Sequence, residues 1–463
     1  MRSIILNILF VVLFILTGQA AGKKNYYVNN LTGNDSNRGS LKKPFKTIGR
    51  INELKFDDQN SVFFAGGQTF EGTLKLSGIS GKNEKPIVIS SYGGGSAILN
   101  GGKQNAIWAA DCSWLLVKNL ILKGEGRLEG NTGSGIELIS TQNCKIDSVE
   151  ASGFFWSGVK VVGGSNLQIT NIYAHDNGFS GINVESDRQD SVAKSFHNLY
   201  IGHCVAENNP GCPAVKDNHS GNGILIGGVT NGIIEYCEAM NNGWDMPREG
   251  NGPVGIWAYH CDSITIQNCY AHDNKTSEKG KDGGGFDFDG GVTNSVMQNN
   301  LSANNEGAGY GLFQYAGASV WKKNIVRNNI SYNDGKKNGQ AGFLMWVDPV
   351  SGGTISDCEI TENKVVNCYG HAVSFEPGDY PGFNFSNNIF LLTPDAVSFV
   401  NGNYKGASFS GNQAWVVGQN APLLFPEDPN ALLTDPEIKL PENNEELPEH
   451  VDELKLLNLF RAN

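Results

Sequence analysis

Long hydrophobic runs are almost absent from this 463-residue chain. The one exception is residues 4–16, apolar apart from Asn7, which follow Arg2 and precede Gly18-Gln19-Ala20. A short positive start, a short apolar stretch and a small-x-small site describe a signal peptide, expected over residues 1–20. The run is too short to span a bilayer, and with no Cys directly after it a lipid anchor is disfavoured. The mature protein is therefore expected to have no transmembrane segment and to be exported, periplasmic or extracellular. Clusters of Lys and Arg are also lacking. With 35 basic against 47 acidic residues and a net charge of −12, nucleic acid is not an expected partner. No CxxC and no His-rich pair suggests zinc, and no EF-hand loop is present. The middle of the chain holds no amphipathic stretch of helical length, which sets helical classes aside. Cysteines number nine, an odd count. Cys204, Cys237 and Cys269 occupy matching points of a repeat, which suits stacked buried thiols better than a disulfide network.

What the chain has in abundance is glycine, 59 residues, and internal repetition. Gly135-Ile136-Glu137-Leu138, Gly158-Val159-Lys160-Val161 and Gly181-Ile182-Asn183-Val184 start 23 residues apart. Between them lie segments such as Asn143-Cys144-Lys145-Ile146 and Asn166-Leu167-Gln168-Ile169, so each period holds short strands joined by Gly/Asn turns. One such coil cannot bury its own apolar face, and neighbours must stack. The recurring Asn143, Asn166, Asn198, Asn231 and Asn294 are expected to stack as structural residues. On this repeat the chain resembles the right-handed parallel β-helix superfamily, the pectate-lyase-like group, over residues 26–415. The handedness follows from the resemblance. The expected organisation is a signal peptide (1–20), an all-β solenoid with its N-terminal cap (21–415), and a C-terminal extension (416–463) with a short capping helix around 448–457. A monomer is expected.

Later coils are longer. Corresponding strands begin at Gly223, Gly255, Gly285, Gly309 and Gly342, and the added residues fall just before them, at 208–222, 243–253, 274–284 and 334–340. Insertions at one corner of a stack build a wall beside one face. Within that ladder stands Gly284-Gly285-Phe286-Asp287-Phe288-Asp289-Gly290. Its alternation predicts a strand with Phe286 and Phe288 inside and Asp287 and Asp289 on the outer surface, their Cα atoms about 6.6 Å apart. The same register places Glu137, Lys160, Asn183, Leu225, Trp257, Asp287, Gly311 and Leu344 in one outward row. A second row holds Glu185, Tyr259, Asp289, Phe313 and Trp346.

Two adjacent carboxylates repel unless a proton, metal or ligand relieves them. One reading is glycoside hydrolysis, with one carboxyl as acid and the other as base or nucleophile. Asp287 and Asp289 are the candidate catalytic pair, and Glu306 is the third member. Trp257, Tyr259, Phe313 and Trp346 are expected to be exposed beside them as platforms for sugar rings, with Asp245 and Arg248 as further substrate contacts. Single aromatics of this kind are more often covered by loops, and Arg248 has Glu249 as an ordinary ion-pair partner. The hydrolase reading calls for no cofactor, whereas the competing reading is calcium-dependent, with Asp282, Asp287 and Asp289 as Ca2+ ligands. Asn304-Asn305-Glu306-Gly307 loosely resembles the Asn-Asp-Asp-Gly turn of calcium-dependent pectate lyases, with the carboxylates reduced to one. A lyase would also need a base, and Lys279, Lys281, Lys322, Lys323 and Arg327 stand in no recognisable motif. His260 and His371 are minor candidates. The resemblance implies a polysaccharide or oligosaccharide substrate. The leading expectation is a secreted glycoside hydrolase. A calcium-dependent pectate-type lyase and a non-catalytic glycan-binding solenoid are the alternatives.

Overall fold

A computed structural model describes residues 24–56, 60–186, 194–337, 339–350, 353–367, 369–393, 398–418, 428–432, 434–438, 447–448 and 450. The expected signal peptide and most of the expected C-terminal helix lie outside these residues. Among the described residues are 34 strands and one short helix. All the paired strands run parallel and sort into three ladders, each adding one strand per coil. Ile136 pairs with Val159 and Val159 with Ile182, the register implied by the 23-residue repeat. Strands Ile136–Ser152 and Ser157–His175 are long enough to turn corners and belong to all three ladders.

Asparagine recurs because the corners need left-handed backbone. Asn143, Asn166, Asn198 and Asn231 have φ between 55° and 62°, a region that Asn tolerates better than other side-chain-bearing residues. Three hydrogen bonds join these four side chains from coil to coil, the Nδ2 of Asn166, Asn198 and Asn231 each donating to the preceding Oδ1 at 2.7–2.9 Å. Asn294 instead donates to Asp262 Oδ1.

Alternation turns one residue in two toward the core. Phe286, Tyr310 and Phe343 stack with centroids 5.3 and 5.1 Å apart. Cys204, Cys237 and Cys269 are buried thiols, and the eight described cysteines are all free. Where that row ends, asparagine takes over: the Cys269 amide donates to Asn300 Oδ1, and Asn300, Asn329, Asn363, Asn388 and Asn412 continue as a fully buried ladder. A second buried ladder runs Asn177, Asn209, Asn242, Asn274, Asn305. Each amide donates to a backbone carbonyl and to the next Oδ1, so the ladder is polarised and its last rung needs an acceptor. Both end on aspartate, Asp334 in one and Asp428 in the other.

At the N-terminal end, strand Lys24–Val28 pairs with Asn60–Ala65. The helix Ile48–Asn52 is capped by the Thr47 side chain and buries Ile48 and Ile51. Among the described residues the last paired strand is Gln413–Val416.

Candidate functional site

The outward row runs along the first ladder as the alternation requires. Lys160 pairs with Asn183, Asn183 with Leu225, Leu225 with Trp257, Trp257 with Asp287, Asp287 with Gly311, and Gly311 with Leu344. Asp287 sits on strand Gly284–Phe288, between the buried rings of Phe286 and Phe288. Asp289 follows the strand, its amide donating to Ala258 O. The strand lies close to its neighbours because it starts with glycines: a Cβ on Gly285 would stand 2.2 Å from Ser302 Oγ.

The two carboxyls have different surroundings. Asp287 is 3% exposed, and its Oδ1 is buried with no hydrogen-bond partner. It stands in a small recess with Val254, Phe286, Ala308, Phe313, Gly311, Gln340 and Asp282. Burial first, then the charges of Asp289 and Asp282, push its pKa well above the usual carboxylate range. Asp289 is half-buried and accepts from the Gly290 amide at 2.8 Å. Burial raises it to about 7, with Asp282 adding to the rise and the Gly290 amide opposing it. Asp282, raised to about 6 by burial, has a left-handed backbone with φ 56° and accepts the Gly252 amide at 2.7 Å. Asp282 and Asp287 thus line one small recess beside Asp289, and burial raises the pKa of all three.

Gly311 makes the recess possible. A Cβ there would lie 2.7 Å from Phe313 Cζ and 3.2 Å from Asp287 Oδ1. Gly311→Ala is expected to push both aside, costing roughly 1–3 kcal/mol by overpacking. Denaturation and activity measured together on this variant should fall together; unchanged stability would contradict this packing.

The exposed aromatic groove is corrected in part. Trp257 is 5% and Phe313 8% exposed, so neither offers an open platform. Trp257 packs with Phe179, Leu225 and Val254, and its Nε1 donates to Asn222. The reason is that the inserted loops cross over the ladder as well as flank it: His219, from the 208–222 insertion, lies against Phe179 and Trp257 with ring centroids 5.4 and 5.0 Å away. Tyr259 and Trp346 remain partly exposed. Tyr259 leans over Gly227, where any Cβ would meet its ring at 2.2 Å.

Other candidates have structural partners. Glu306 Oε2 accepts the Thr276 amide at 2.9 Å and faces Lys337 at 3.5 Å; it does not line the Asp287 recess. Asp245 is bound by Arg127, Nη2 to Oδ2 at 2.7 Å, while Arg127 Nη1 donates to Gly211 O and its guanidinium lies 5.7 Å from the Trp244 ring centroid. This single arginine ties two inserted loops together. Glu249 pairs with Lys279, not with Arg248. Arg248 has no carboxylate within ion-pair distance among the described residues, but its charge reaches His219 and Asp282. Arg327 is held by Gln298. Lys281, Lys322 and Lys323 are exposed. His371 bonds Ser398, and His260 is buried against Tyr315.

The calcium ligand set does not fit. No three His, Cys, Asp or Glu side chains are grouped for a metal among the described residues. Asp282 already accepts the Gly252 amide, and apolar side chains occupy most of the wall where a hard cation would need six to eight oxygens.

Three participants carry no sequence signal: Gly311, whose value is its missing side chain; Gln340, whose Oε1 accepts the Ala308 amide beside Asp287; and His219. His219 Nδ1 lies 3.0 Å from Asn222 Nδ2, and burial, with Arg248 second, pushes its pKa down to about 4. It is a neutral acceptor at physiological pH.

Residues 134–330 match the family described as the right handed beta helix region. The fold is a right-handed parallel β-helix. A β-helix of similar course occurs in the GH136 lacto-N-biosidase of Eubacterium ramulus, 18% identical, with a TM-score of 0.57 over 83% of this chain and 66% of the other. This chain thus spans just under two thirds of that protein. The A-module of the mannuronan C-5 epimerase AlgE6 of Azotobacter vinelandii is 16% identical, with a TM-score of 0.55 over 76% and 90% of the two chains. A mannuronic acid specific polysaccharide family 6 lyase from human gut microbiota is 12% identical, with a TM-score of 0.54 over 85% and 87%. At these identities the likeness is one of fold. No curated protein sequence matches the chain.

Proposed function

We propose that this β-helix protein is an exported polysaccharide-active enzyme, and specifically a glycoside hydrolase working through Asp287 and Asp289. The observation that carries this reading is the carboxyl pair itself: two acids on one rigid ladder, one buried without a hydrogen-bond partner and one at the partly open edge. Burial favours a neutral Asp287, which suits a proton donor to the leaving oxygen. Asp289, at about 7, ionises first and suits the base or nucleophile. The structural neighbours act on glycans by hydrolysis, elimination and epimerisation, which supports a glycan substrate without choosing among the three. No helix among the described residues is long and apolar enough to cross a membrane.

The test is a screen of plant, algal and host polysaccharides, reading product mass and ultraviolet absorbance together. Hydrolysis adds water and gives no absorbing product. An absorbing unsaturated uronide would replace this reading with the lyase, for which the supporting observation is that Arg248 has no carboxylate within ion-pair distance among the described residues. Glycan binding with no turnover on any substrate would leave a binding solenoid.

A pH dependence follows. A base of pKa about 7 is lost by protonation as pH falls, so kcat/KM should decline on the acid side of neutrality, about tenfold per pH unit. The alkaline limb belongs to the proton on Asp287. A profile flat from pH 5 to 8 would contradict the pairing of roles.

A further inference from the structure

Behind Asp289 the chain makes a turn held from the far side by a buried histidine. The His260 amide donates to Gly290 O at 2.7 Å. The His260 ring, in a residue only 1% exposed, places Nε2 2.6 Å from the Tyr315 hydroxyl and Nδ1 3.2 Å from Ser319 Oγ. The two rings then embrace two glycines. A Cβ on Gly290 would lie 2.5 Å from Tyr315 Cε1, and one on Gly291 would lie 2.5 Å from His260 Nδ1 and 2.3 Å from Ser319 Oγ. Gly291 has φ 76°, so the turn needs glycine for its backbone as well as its space. Gln314, fully buried, finishes the assembly: its Oε1 accepts the Gly291 amide at 3.0 Å and its Nε2 donates to Ser319 O at 2.8 Å.

The result is a hydrogen-bonded block in which His260 of the preceding coil and Gln314, Tyr315 and Ser319 of the following coil close around the residues after Asp289. Asp289 in turn is bound to this block through the Gly290 amide. None of these side chains lines the Asp287 recess. The His–Tyr grip adds to the backbone hydrogen bonds that hold the turn after Asp289.

We propose that Tyr315, gripped by His260, is a positioning residue that fixes the Asp289–Gly290–Gly291 turn and thereby aims the Asp289 carboxylate. The proposal rests on the reading of Asp289 as a working carboxylate. Misplacement of a reacting group by about 1 Å costs up to a hundredfold in rate. Loss of one hydroxyl from the grip should cost less.

Two measurements on Tyr315→Phe test it, since this variant keeps the ring against Gly290 and removes only the hydroxyl. In hydrogen exchange the backbone of residues 289–293 should exchange several-fold faster, while the other coils keep wild-type rates. In kinetics kcat should fall about tenfold with KM within twofold of wild type. His260→Asn should reproduce both effects, and the double variant should be no worse than the more affected single variant. Wild-type exchange at 289–293 in Tyr315→Phe overturns the proposal whether or not a substrate is known. A change in KM with kcat retained overturns it as well, because the block would then serve binding. If wild type turns over no glycan, exchange alone decides on the grip, and the hydrolase reading fails separately. If Asp289→Asn keeps full activity while Asp287→Asn does not, the aim of Asp289 has no catalytic value and the proposal falls.

Discussion

Replacing Asp287 by Asn should abolish turnover and make the protein more stable. The activity side follows from removing the proposed proton donor, a loss on the order of 10²–10⁴-fold or more. The stability side follows from the environment. Asp287 is 3% exposed, its Oδ1 has no partner, and burial plus the charges of Asp289 and Asp282 raise its pKa well above the ordinary value. In the unfolded chain the same group titrates near 3.9. Between these values the folded protein holds a proton that the unfolded chain has released. The stabilisation tied to that proton is complete below the unfolded pKa and is lost as pH rises toward the folded one, by about 1.4 kcal/mol per pH unit. Asn has no proton to lose. The difference in unfolding free energy between variant and wild type should therefore be smallest near pH 4 and grow toward neutrality. Wild-type activity combined with unchanged stability at pH 7.5 would refute both halves. A residue that destabilises its own fold at working pH is retained for function more readily than for structure.

The second large effect lies in the interior. Asn305 is fully buried. Its Nδ2 donates to Ala271 O at 3.0 Å and to Asp334 Oδ1 at 2.8 Å, and its Oδ1 accepts both the amide and the Nδ2 of Asn274 at 2.9 Å. Asn305→Ala would strand the buried Asn274 amide and remove the other three of these buried hydrogen bonds, although Asn274 Nδ2 keeps Ala239 O and Asp334 Oδ1 keeps the Asn305 amide. At about 1–3 kcal/mol for the stranded donor and about 1 kcal/mol for each other bond, with incomplete additivity, the loss should be roughly 3–5 kcal/mol. Asn305→Asp is the more telling comparison. It keeps the acceptor, loses the donors and sets a carboxylate against Asp334, which burial already raises to about 6. That variant should be weakest above pH 6 and should recover as pH falls and Asp334 takes up a proton. Denaturation monitored across pH would show it, and a cost under 1 kcal/mol for Asn305→Ala would mean the ladder is not a stabilising element.

These two sites differ in how visible they are in the residues. Asp287 and Asp289 announce themselves through the alternation with Phe286 and Phe288, because a strand has a period of two and its register is fixed by the buried face. The buried asparagine ladders do not. Asn305 sits in Asn304-Asn305-Glu306, among turn residues that look alike in one dimension. Which of two adjacent asparagines points inward depends on the backbone of the corner: Asn304 has φ 59°, and Asn305 carries the ladder. Tyr315 and His260 lie 55 residues apart in the chain and meet at 2.6 Å only through coil stacking.

The sequence by itself determined the stacked coil, its 23-residue register, the inward and outward rows and the place where charge collects, since all of these are local periodicities repeated often enough to be unambiguous. Tertiary structure alone decided exposure and ionisation. It put Trp257 and Phe313 under cover, tied Glu306 to Thr276 and Lys337, and left Asp287 Oδ1 without a hydrogen-bond partner. The physical reason is that burial and electrostatics depend on the paths of inserted loops, which have no period, and on contacts between residues tens of positions apart.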